Sequence, residues 1–191
     1  MRKLIVTEFV TLDGVMEAPG GEPTHPHSGW VLDFIGMEQQ EYKLQEVLEA
    51  DAHLIGRVTY ESFAAAWPER TGVFADRVNS MPKYVVTTTL DELDWNNCIP
   101  IKGEIAAEVS KLKRGDGGPI LVAGSRTLVH SLMEHDLVDE YRLMVFPIVL
   151  GSGKRLFPES PDKRPLELVD TRTFGTGVQV HTYRPAEPAE N

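Results

Sequence analysis

Two places in the chain set glycine, hydroxyl and arginine side chains directly after a short apolar run. The first is Gly56-Arg57 with Thr59 two residues on, and the second is Gly124-Ser125-Arg126-Thr127. A helix N-terminus offers free amides and the positive end of its dipole to phosphate, and arginine adds a planar fork of donors. Both places therefore predict phosphate binding. A structural turn followed by a capping hydroxyl residue is the alternative at each.

Thr87 and Thr88 form a third candidate, because they follow the apolar pair Val85-Val86. Their hydroxyls could bond a ribose or a phosphate, although threonine is also a common strand residue, and a structural role is favoured for this segment by itself. None of the three places has the G-x-G-x-x-G dinucleotide fingerprint or a Walker phosphate loop.

Two pairs of side chains elsewhere invite a catalytic or metal interpretation that the spacing does not support. Asp139 and Glu140 are neighbours at the start of a predicted strand, so their side chains point to opposite faces and do not converge on one substrate atom. His25 and His27 flank a proline with no carboxylates at metal-ligand spacing. They predict a solvated pair and no metal site.

The elements that position these residues follow from hydrophobic periodicity and turn signals. A long loop runs from 12 to 29, and Pro147 places its strand at an edge or a bulge. Strands are predicted at 3–9, 52–55, 83–88, 120–123, 141–149, 166–173 and 179–183, and helices at 37–50, 60–67, 105–113 and 127–135. This order predicts a three-layer α/β/α domain over 1–184, whose mostly parallel sheet ends in an antiparallel hairpin, with ligands beyond the carboxyl ends of the strands. Residues 185–191, rich in Pro, Ala and Glu, are predicted to form a disordered tail.

Composition and charge narrow the function further. The 191 residues include 19 Lys and Arg against 29 Asp and Glu, a net charge of −10 that disfavours nucleic acid as a partner. The single cysteine, Cys98, cannot form an internal disulfide. Glu8 and Asp13 interrupt the first apolar run too early for a signal peptide, and no run approaches the roughly 20 apolar residues of a membrane span. These features predict a cytoplasmic protein without a membrane partner.

The ordered set of motifs resembles the riboflavin-biosynthesis reductase domain, a branch of the dihydrofolate reductase superfamily. The segments that carry the resemblance span nearly the whole chain. They are Thr11-Leu12-Asp13-Gly14, Gly56-Arg57-x-Thr59-Tyr60-Glu61, Gly124-Ser125-Arg126, Leu137-Val138-Asp139-Glu140-Tyr141 and the run from Phe146 to Phe157.

The resemblance implies that the chain binds NADPH at the three places described above. By analogy with the family, Gly56, Arg57 and Thr59 contact the adenosine and phosphate part, Thr87 and Thr88 lie near the ribose phosphate, and 124–127 form the glycine turn at the pyrophosphate. The family often has two glycines at that turn, where this chain has Ala123-Gly124.

The resemblance also implies that the loop after the first strand covers the nicotinamide and the substrate. Asp13, Gly14 and Trp30 are the substrate-side candidates, and Asp13 is either a polar group near the hydride-transfer centre or a turn former. Asp33 is the candidate for the acid that dihydrofolate reductases carry on their first helix. It is alternatively the N-cap of the helix that follows. A long spacing from Asp33 to Gly56 puts folate reduction itself in doubt.

The function implied is NADPH-dependent reduction of a C=N or C=O bond in a small pterin-like, pyrimidine-like or sugar-linked substrate. A noncatalytic nucleotide-binding or ligand-sensing module is the alternative. The H-x-E and P-C-x-x-C pattern of a zinc deaminase is missing from the sequence, so the chain is at most the reductase half of a bifunctional riboflavin enzyme. A homodimer is expected from the resemblance.

Overall fold

The computed structural model describes residues 1–160 and 162–186, which form one eight-stranded sheet with helices on both faces. The strands are β1 (Leu4–Thr11), β2 (Ala52–Gly56), β3 (Lys83–Val86), β4 (Cys98–Ile101), β5 (Ile120–Val122), β6 (Glu140–Phe146), β7 (Leu166–Thr173) and β8 (Gln179–Pro185). The helices are α1 (Met37–Glu49), α2 (Arg57–Ala66), α3 (Val73–Ser80), α4 (Ile105–Arg114) and α5 (Arg126–Glu134), with a short 3-10 turn at Leu32–Phe34. No helix in these ranges is long and apolar enough to cross a membrane.

The sheet has the strand order β4-β3-β2-β5-β1-β6-β8-β7. Every pair from β4 to β6 is parallel, whereas β8 runs antiparallel to both β6 and β7. The predicted architecture of a mostly parallel sheet closed by an antiparallel hairpin is therefore confirmed. Alternating strands and helices produce the parallel part, because each crossover helix returns the chain to the same end of the sheet.

Strand β1 lies in the middle of the sheet and is buried on both faces. Leu4 and Val6 pack into the layer formed with α4 and α5, and Ile5 packs into the opposite layer formed with α1, α2 and α3. This is why the sequence of β1 is apolar at consecutive positions, as buried parallel strands usually are. A third apolar cluster around Trp30 and Phe146 lies beneath the loop after β1.

The direction of the crossovers changes between β1 and β5. The chain leaves β1 through α1 towards β2 on one face, and it leaves β5 through α5 towards β6 on the other face. Adjacent strands whose connections depart to opposite sides leave a crevice at their carboxyl ends, and ligands of open α/β sheets bind there. The carboxyl ends of β1 and β5 therefore mark the expected ligand crevice.

Two elements were not predicted from the sequence. Helix α3 has only eight residues, and strand β4 contains a proline and is partly exposed at the edge of the sheet. Short, exposed elements carry a weak periodic signal, so pattern analysis passes over them.

Several local predictions are wrong. Thr59 does not cap α2, because the helix already begins at Arg57, and Asp33 does not cap α1, whose N-cap is Gly36. Pro147 follows the end of β6, which is an interior strand, so its missing amide weakens no ladder. His25 is not solvated, because its ring packs against the loop at Ser152 and only 9% of the residue is exposed.

The predicted tail is only partly covered. Strand β8 includes Pro185, the first residue of that segment, so the ordered chain extends at least to this point. Residues 187–191 lie outside the described residues.

Candidate functional site

The two glycine junctions of the sequence meet in space. Because β2 and β5 are neighbouring parallel strands, their carboxyl ends lie side by side. The amide of Gly56 donates to Ser125 Oγ at 2.7 Å, and that hydroxyl donates to Thr59 Oγ1 at 2.6 Å. Ser125 therefore joins the end of β2 and the first turn of α2 to the start of α5.

Both glycines are needed for this close approach. A Cβ atom on Gly56 would lie 2.9 Å from Ser125 Oγ, and one on Gly124 would lie 3.0 Å from Thr59 Oγ1. Gly124 also has φ +76°, and Ser125 has φ +70°, which is unusual for a residue with a side chain. Left-handed conformations of non-glycine residues cost free energy and cluster at functional sites, so this turn is a strong candidate for one.

The turns bring two helix N-termini together. Gly56 is the N-cap residue of α2 and has no side chain to cap it, and Ser125 is the N-cap residue of α5 but its hydroxyl does not cap that helix. The first amides of both helices therefore remain as donors for a ligand, and the positive ends of two helix dipoles converge. Arg57 and Arg126 are the first residues of these helices and are exposed. A pyrophosphate group fits this set of donors.

The two arginines already have contacts within the protein. Arg57 Nη1 lies 2.9 Å from Glu61 Oε1 one turn along α2, and Arg126 Nε donates to the carbonyl oxygen of Arg155 at 3.0 Å. An exposed ion pair such as that of Arg57 contributes little to stability, and the contact of Arg126 is a single exposed hydrogen bond, so a phosphate can compete for both guanidinium groups at small cost.

A cavity of about 450 Å³ opens beside the start of α5. Two of its cations are paired within the protein, Lys154 with Glu17 at 3.1 Å and Arg155 with Asp13 at 3.9 Å. Its size is within the range of small-molecule pockets. The cavity is lined by Arg126, Gly153, Lys154, Arg155, Phe157 and Glu159.

The two threonines after β3 have different environments. The buried Thr87 hydroxyl accepts from the amides of Thr89 at 3.2 Å and Leu90 at 3.0 Å, so it holds the turn that ends the strand. Thr88 is exposed next to the carboxyl end of β2 and is open to a ligand.

Glu8 is a polar residue of the crevice that the sequence analysis did not identify as a site residue. It is only 6% exposed, and Oε1 accepts from the amide of Gly124 at 2.8 Å. Burial raises the pKa of Glu8 to about 8, partly offset by the Gly124 hydrogen bond and by the positive charge of Lys43. A charged residue in the middle of an apolar strand was the available signal, because charged residues are rarely buried without a role.

Asp13 fastens two loops together at the edge of this region. Its carboxylate accepts from Thr11 Oγ1 at 2.6 Å and from the amides of Leu150 at 3.2 Å and Gly151 at 2.9 Å. The Thr11 hydrogen bond, opposed by some desolvation, lowers the pKa of Asp13. The loop after β1 is thereby attached to the loop after β6, and Gly14 follows with φ +82°.

The remaining two candidates lie apart from the glycine turns. Trp30 is 3% exposed, donates from Nε1 to the carbonyl oxygen of Glu17 at 2.8 Å, and packs edge-on against Phe146. Asp33 is exposed in the 3-10 turn before α1.

A second polar cluster, also not predicted, lies on the α1 side of β1. Thr7 Oγ1 lies 2.8 Å from Glu46 Oε2 and 2.7 Å from Lys43 Nζ, and Arg142 Nη1 lies 3.5 Å from Glu46 Oε1. The cluster balances two positive charges against the buried Glu46 carboxylate and the neighbouring Glu140, which explains how charges are tolerated beneath α1. Glu140 is thus a structural residue, as its position next to Asp139 suggested.

No three His, Cys, Asp or Glu side chains of residues 1–160 and 162–186 are grouped so that they could hold a metal ion. The groups that this site offers to a ligand are the helix N-termini, the glycine turns and Glu8.

Comparison with known proteins assigns the family. Residues 2–180 match the family model of the RibD C-terminal domain. The chain is 33% identical to the uncharacterized protein YyaP of Bacillus subtilis over 182 residues, which cover 93% of this chain and 92% of that protein.

Solved structures agree on the fold. A protein of Shewanella sp. PV-4 provisionally assigned to riboflavin biosynthesis matches with a TM-score of 0.71 at 21% identity, covering 97% of this chain and 99% of the other. Dihydrofolate reductase of Enterococcus faecalis, solved with NADP(H), matches with a TM-score of 0.62 at 15% identity, covering 97% of each chain. The chain thus belongs to the RibD C-terminal domain family and has the dihydrofolate reductase-like fold.

Proposed function

We propose that the chain is an NADPH-dependent reductase of a small pterin-like, pyrimidine-like or sugar-linked substrate, similar to 5-amino-6-(5-phosphoribosylamino)uracil reductase. One observation carries the proposal. The glycine turns that begin α2 and α5 are in contact through Ser125, so two uncapped helix N-termini offer their amides to the same small volume. Such a pair of donors favours a diphosphate over a single carboxylate or a neutral ligand.

The roles of the chain's own residues follow from their positions. The amides at the starts of α2 and α5 bind the pyrophosphate, and Arg57 and Arg126 supply mobile positive charge at its rim. The exposed Thr88 hydroxyl contacts the ribose phosphate from the β3 side. NADPH, when bound, supplies the hydride, and the protein contributes position and electrostatics.

A noncatalytic nucleotide-binding module remains the second candidate, and the environment of Asp13 favours it. The Asp13 carboxylate is occupied by three donors, and Asp33 is exposed away from the turns. Neither carboxyl is therefore free at the crevice to protonate a substrate. A module of this kind would bind the dinucleotide without oxidising it, whichever acceptor is supplied.

The first experiment measures dinucleotide binding with a matched pair of glycine variants. We expect NADPH to bind the wild type with a Kd on the order of micromolar, and Gly124→Ala to weaken binding by at least about tenfold because its Cβ would press on Thr59. Gly72→Ala, in the turn before α3, is the control, since Gly72 also has a positive φ, +101°, but has no atom within 4 Å of an added Cβ. Equal Kd values for both variants, or no binding to the wild type, would contradict the phosphate site.

A second experiment separates the reductase from the module. Loss of NADPH absorbance is followed with deaminated pyrimidine, dihydrofolate and simple carbonyl acceptors. Oxidation with any of them supports the reductase. Tight binding without oxidation by every acceptor supports the module.

The proposal includes a homodimer and a cytoplasmic location. Strand β7 ends the sheet and is exposed along its length, with Leu168 half exposed, so its outer edge offers unpaired backbone groups to a second copy. Sedimentation velocity is the measurement, and a concentration-independent monomer would contradict the dimer.

A further inference from the structure

Glu8 occupies the place in the sheet where β1 and β5 separate. The two strands pair from Leu4 with Ile120 to Val6 with Val122, and Glu8 and Gly124 stand two residues further along. There the Gly124 amide donates across the opening to the Glu8 carboxyl group, which takes the place of the backbone carbonyl oxygen of a continuous ladder. The only acidic side chain of β1 therefore spans the crevice at the topological switch point.

The first carboxyl oxygen of Glu8 is held by Gly124. The second makes no hydrogen bond to any of the described residues and is not among their fully buried unpaired atoms, so it opens onto the crevice. Ionisation of a mostly buried carboxyl group with only one oxygen held by the protein costs free energy unless a cation lies beside it. Burial raises the pKa of Glu8 to about 8, so the group holds its proton at neutral pH.

The charges that face Glu8 come from α1, on the other side of the strand. Lys43 stabilises the ionised form, Glu46 opposes it, and these two are themselves paired. Neither residue is a hydrogen-bond partner of Glu8. The protonation state of Glu8 therefore responds to the charge of a group that enters the crevice. Under the proposed function, the turns at Gly56 and Gly124 hold the pyrophosphate, and the crevice beside β1 next to Gly124 is the space open to the redox-active ring.

We propose that Glu8 senses the charge of the dinucleotide's redox-active ring, keeping its proton beside the neutral reduced ring and releasing it to solvent beside the oxidised cation. The inference rests on the proposed function. A carboxylate in a low-dielectric crevice stabilises an adjacent cation strongly, so ionised Glu8 favours the oxidised form. Glu8 is in this way a residue that sets the preference between the two redox states.

The test compares the affinities for NADP+ and NADPH between about pH 6 and about pH 9. As the pH rises towards about 8, the affinity of the wild type for NADP+ should increase relative to its affinity for NADPH by up to about tenfold per pH unit. Above about pH 8 the ratio of the two Kd values should level off. Titration of the 2′-phosphate affects both forms alike and cancels in the ratio. Binding of NADP+ at neutral pH should also release close to one proton, measured with a pH-indicator dye in weak buffer.

Glu8→Gln keeps a carbonyl oxygen for the Gly124 amide and removes the ionisation. Its Kd ratio should be independent of pH, and NADP+ binding should release no proton. Glu46→Gln is the matched control, a second buried carboxylate on the opposite side of β1. It should retain the pH dependence with its midpoint lowered, because Glu46 raises the pKa of Glu8.

Three results would overturn the inference: a wild-type ratio that does not change with pH, no proton release, or an unchanged pH dependence in Glu8→Gln. The proton-release measurement uses the wild type, so an absence of release overturns the inference even if Glu8→Gln does not fold. If neither dinucleotide binds the wild type, the proposed function fails as well. If both bind with a pH-independent ratio, only the role of Glu8 fails.

Discussion

Removal of the Ser125 hydroxyl is the most direct perturbation of the joined glycine turns. Ser125→Ala deletes the acceptor of the Gly56 amide and the donor to Thr59 Oγ1, both at distances below 3 Å. Each such hydrogen bond contributes about 0.5–1.5 kcal/mol, so the free energy of unfolding should fall by about 1–3 kcal/mol. For a chain of this length, 2 kcal/mol corresponds to a loss of about 6 °C in Tm.

Ser125→Gly separates the hydroxyl from the backbone strain. It loses the same two hydrogen bonds, but glycine adopts φ +70° without the cost of roughly 1 kcal/mol or more that alanine and serine bear there. We therefore expect Ser125→Gly to be about 1 kcal/mol more stable than Ser125→Ala. Urea unfolding followed by circular dichroism measures both values.

A double-mutant cycle with Thr59→Val checks whether the two hydroxyls act together. The coupling free energy between Ser125→Ala and Thr59→Val should be about 0.5–1.5 kcal/mol. Additive effects, or a Ser125→Ala variant as stable as the wild type, would refute the conclusion that this hydroxyl joins the two junctions.

Two further predictions concern buried cations and proton acceptors. Burial, with the positive charge of Lys83, lowers the pKa of His53 to about 3. Between about pH 6.5 and pH 3 the unfolded chain therefore binds a proton at His53 that the folded chain does not, so the free energy of unfolding decreases as the pH falls. His53→Leu should remove a destabilisation of about 2 kcal/mol that the wild type shows at about pH 5 relative to pH 7. The effect is measured as the difference in urea unfolding between variant and wild type at each pH, because the pH dependence due to Glu8 has the opposite sign and is common to both proteins. Parallel pH profiles for the two proteins would count against this role of His53. Lys83 Nζ donates to the carbonyl oxygens at the end of α3 at 2.9–3.0 Å, so Lys83→Met should cost about 3 kcal/mol, against less than about 0.5 kcal/mol for the exposed control Lys102→Met. Similar losses for the two lysine variants would show that the end of α3 does not depend on Lys83.

The local pattern of the chain was sufficient for most elements and for the glycine junctions. Buried strands are β-branched and apolar, helices repeat every 3.6 residues, and a glycine followed by hydroxyl and arginine residues marks where one gives way to the other. These signals lie within a few residues of each other, so β2, β5 and α5 were predicted to within one residue of their observed bounds, whereas α2 begins three residues earlier than predicted. Helix α3 and strand β4 were not found, because short exposed elements have little periodicity.

The tertiary structure decided which of these residues meet. Thr59 and Ser125 are 66 residues apart, and they are in contact only because β2 and β5 are neighbours, an order that no local pattern encodes. It also decided that Trp30 belongs to the core.

For Glu8, too, the sequence shows the residue type and only the fold shows its role. In the sequence it is a charge that interrupts an apolar run and argues against a signal peptide. In the sheet it lies where two parallel strands part, with its carboxyl group on the Gly124 amide. The sequence by itself determined that glycine turns lead into two helices, since helix starts and glycine geometry are local properties. Only strand order, which depends on packing between distant segments, placed the turns together and put a buried acid between them.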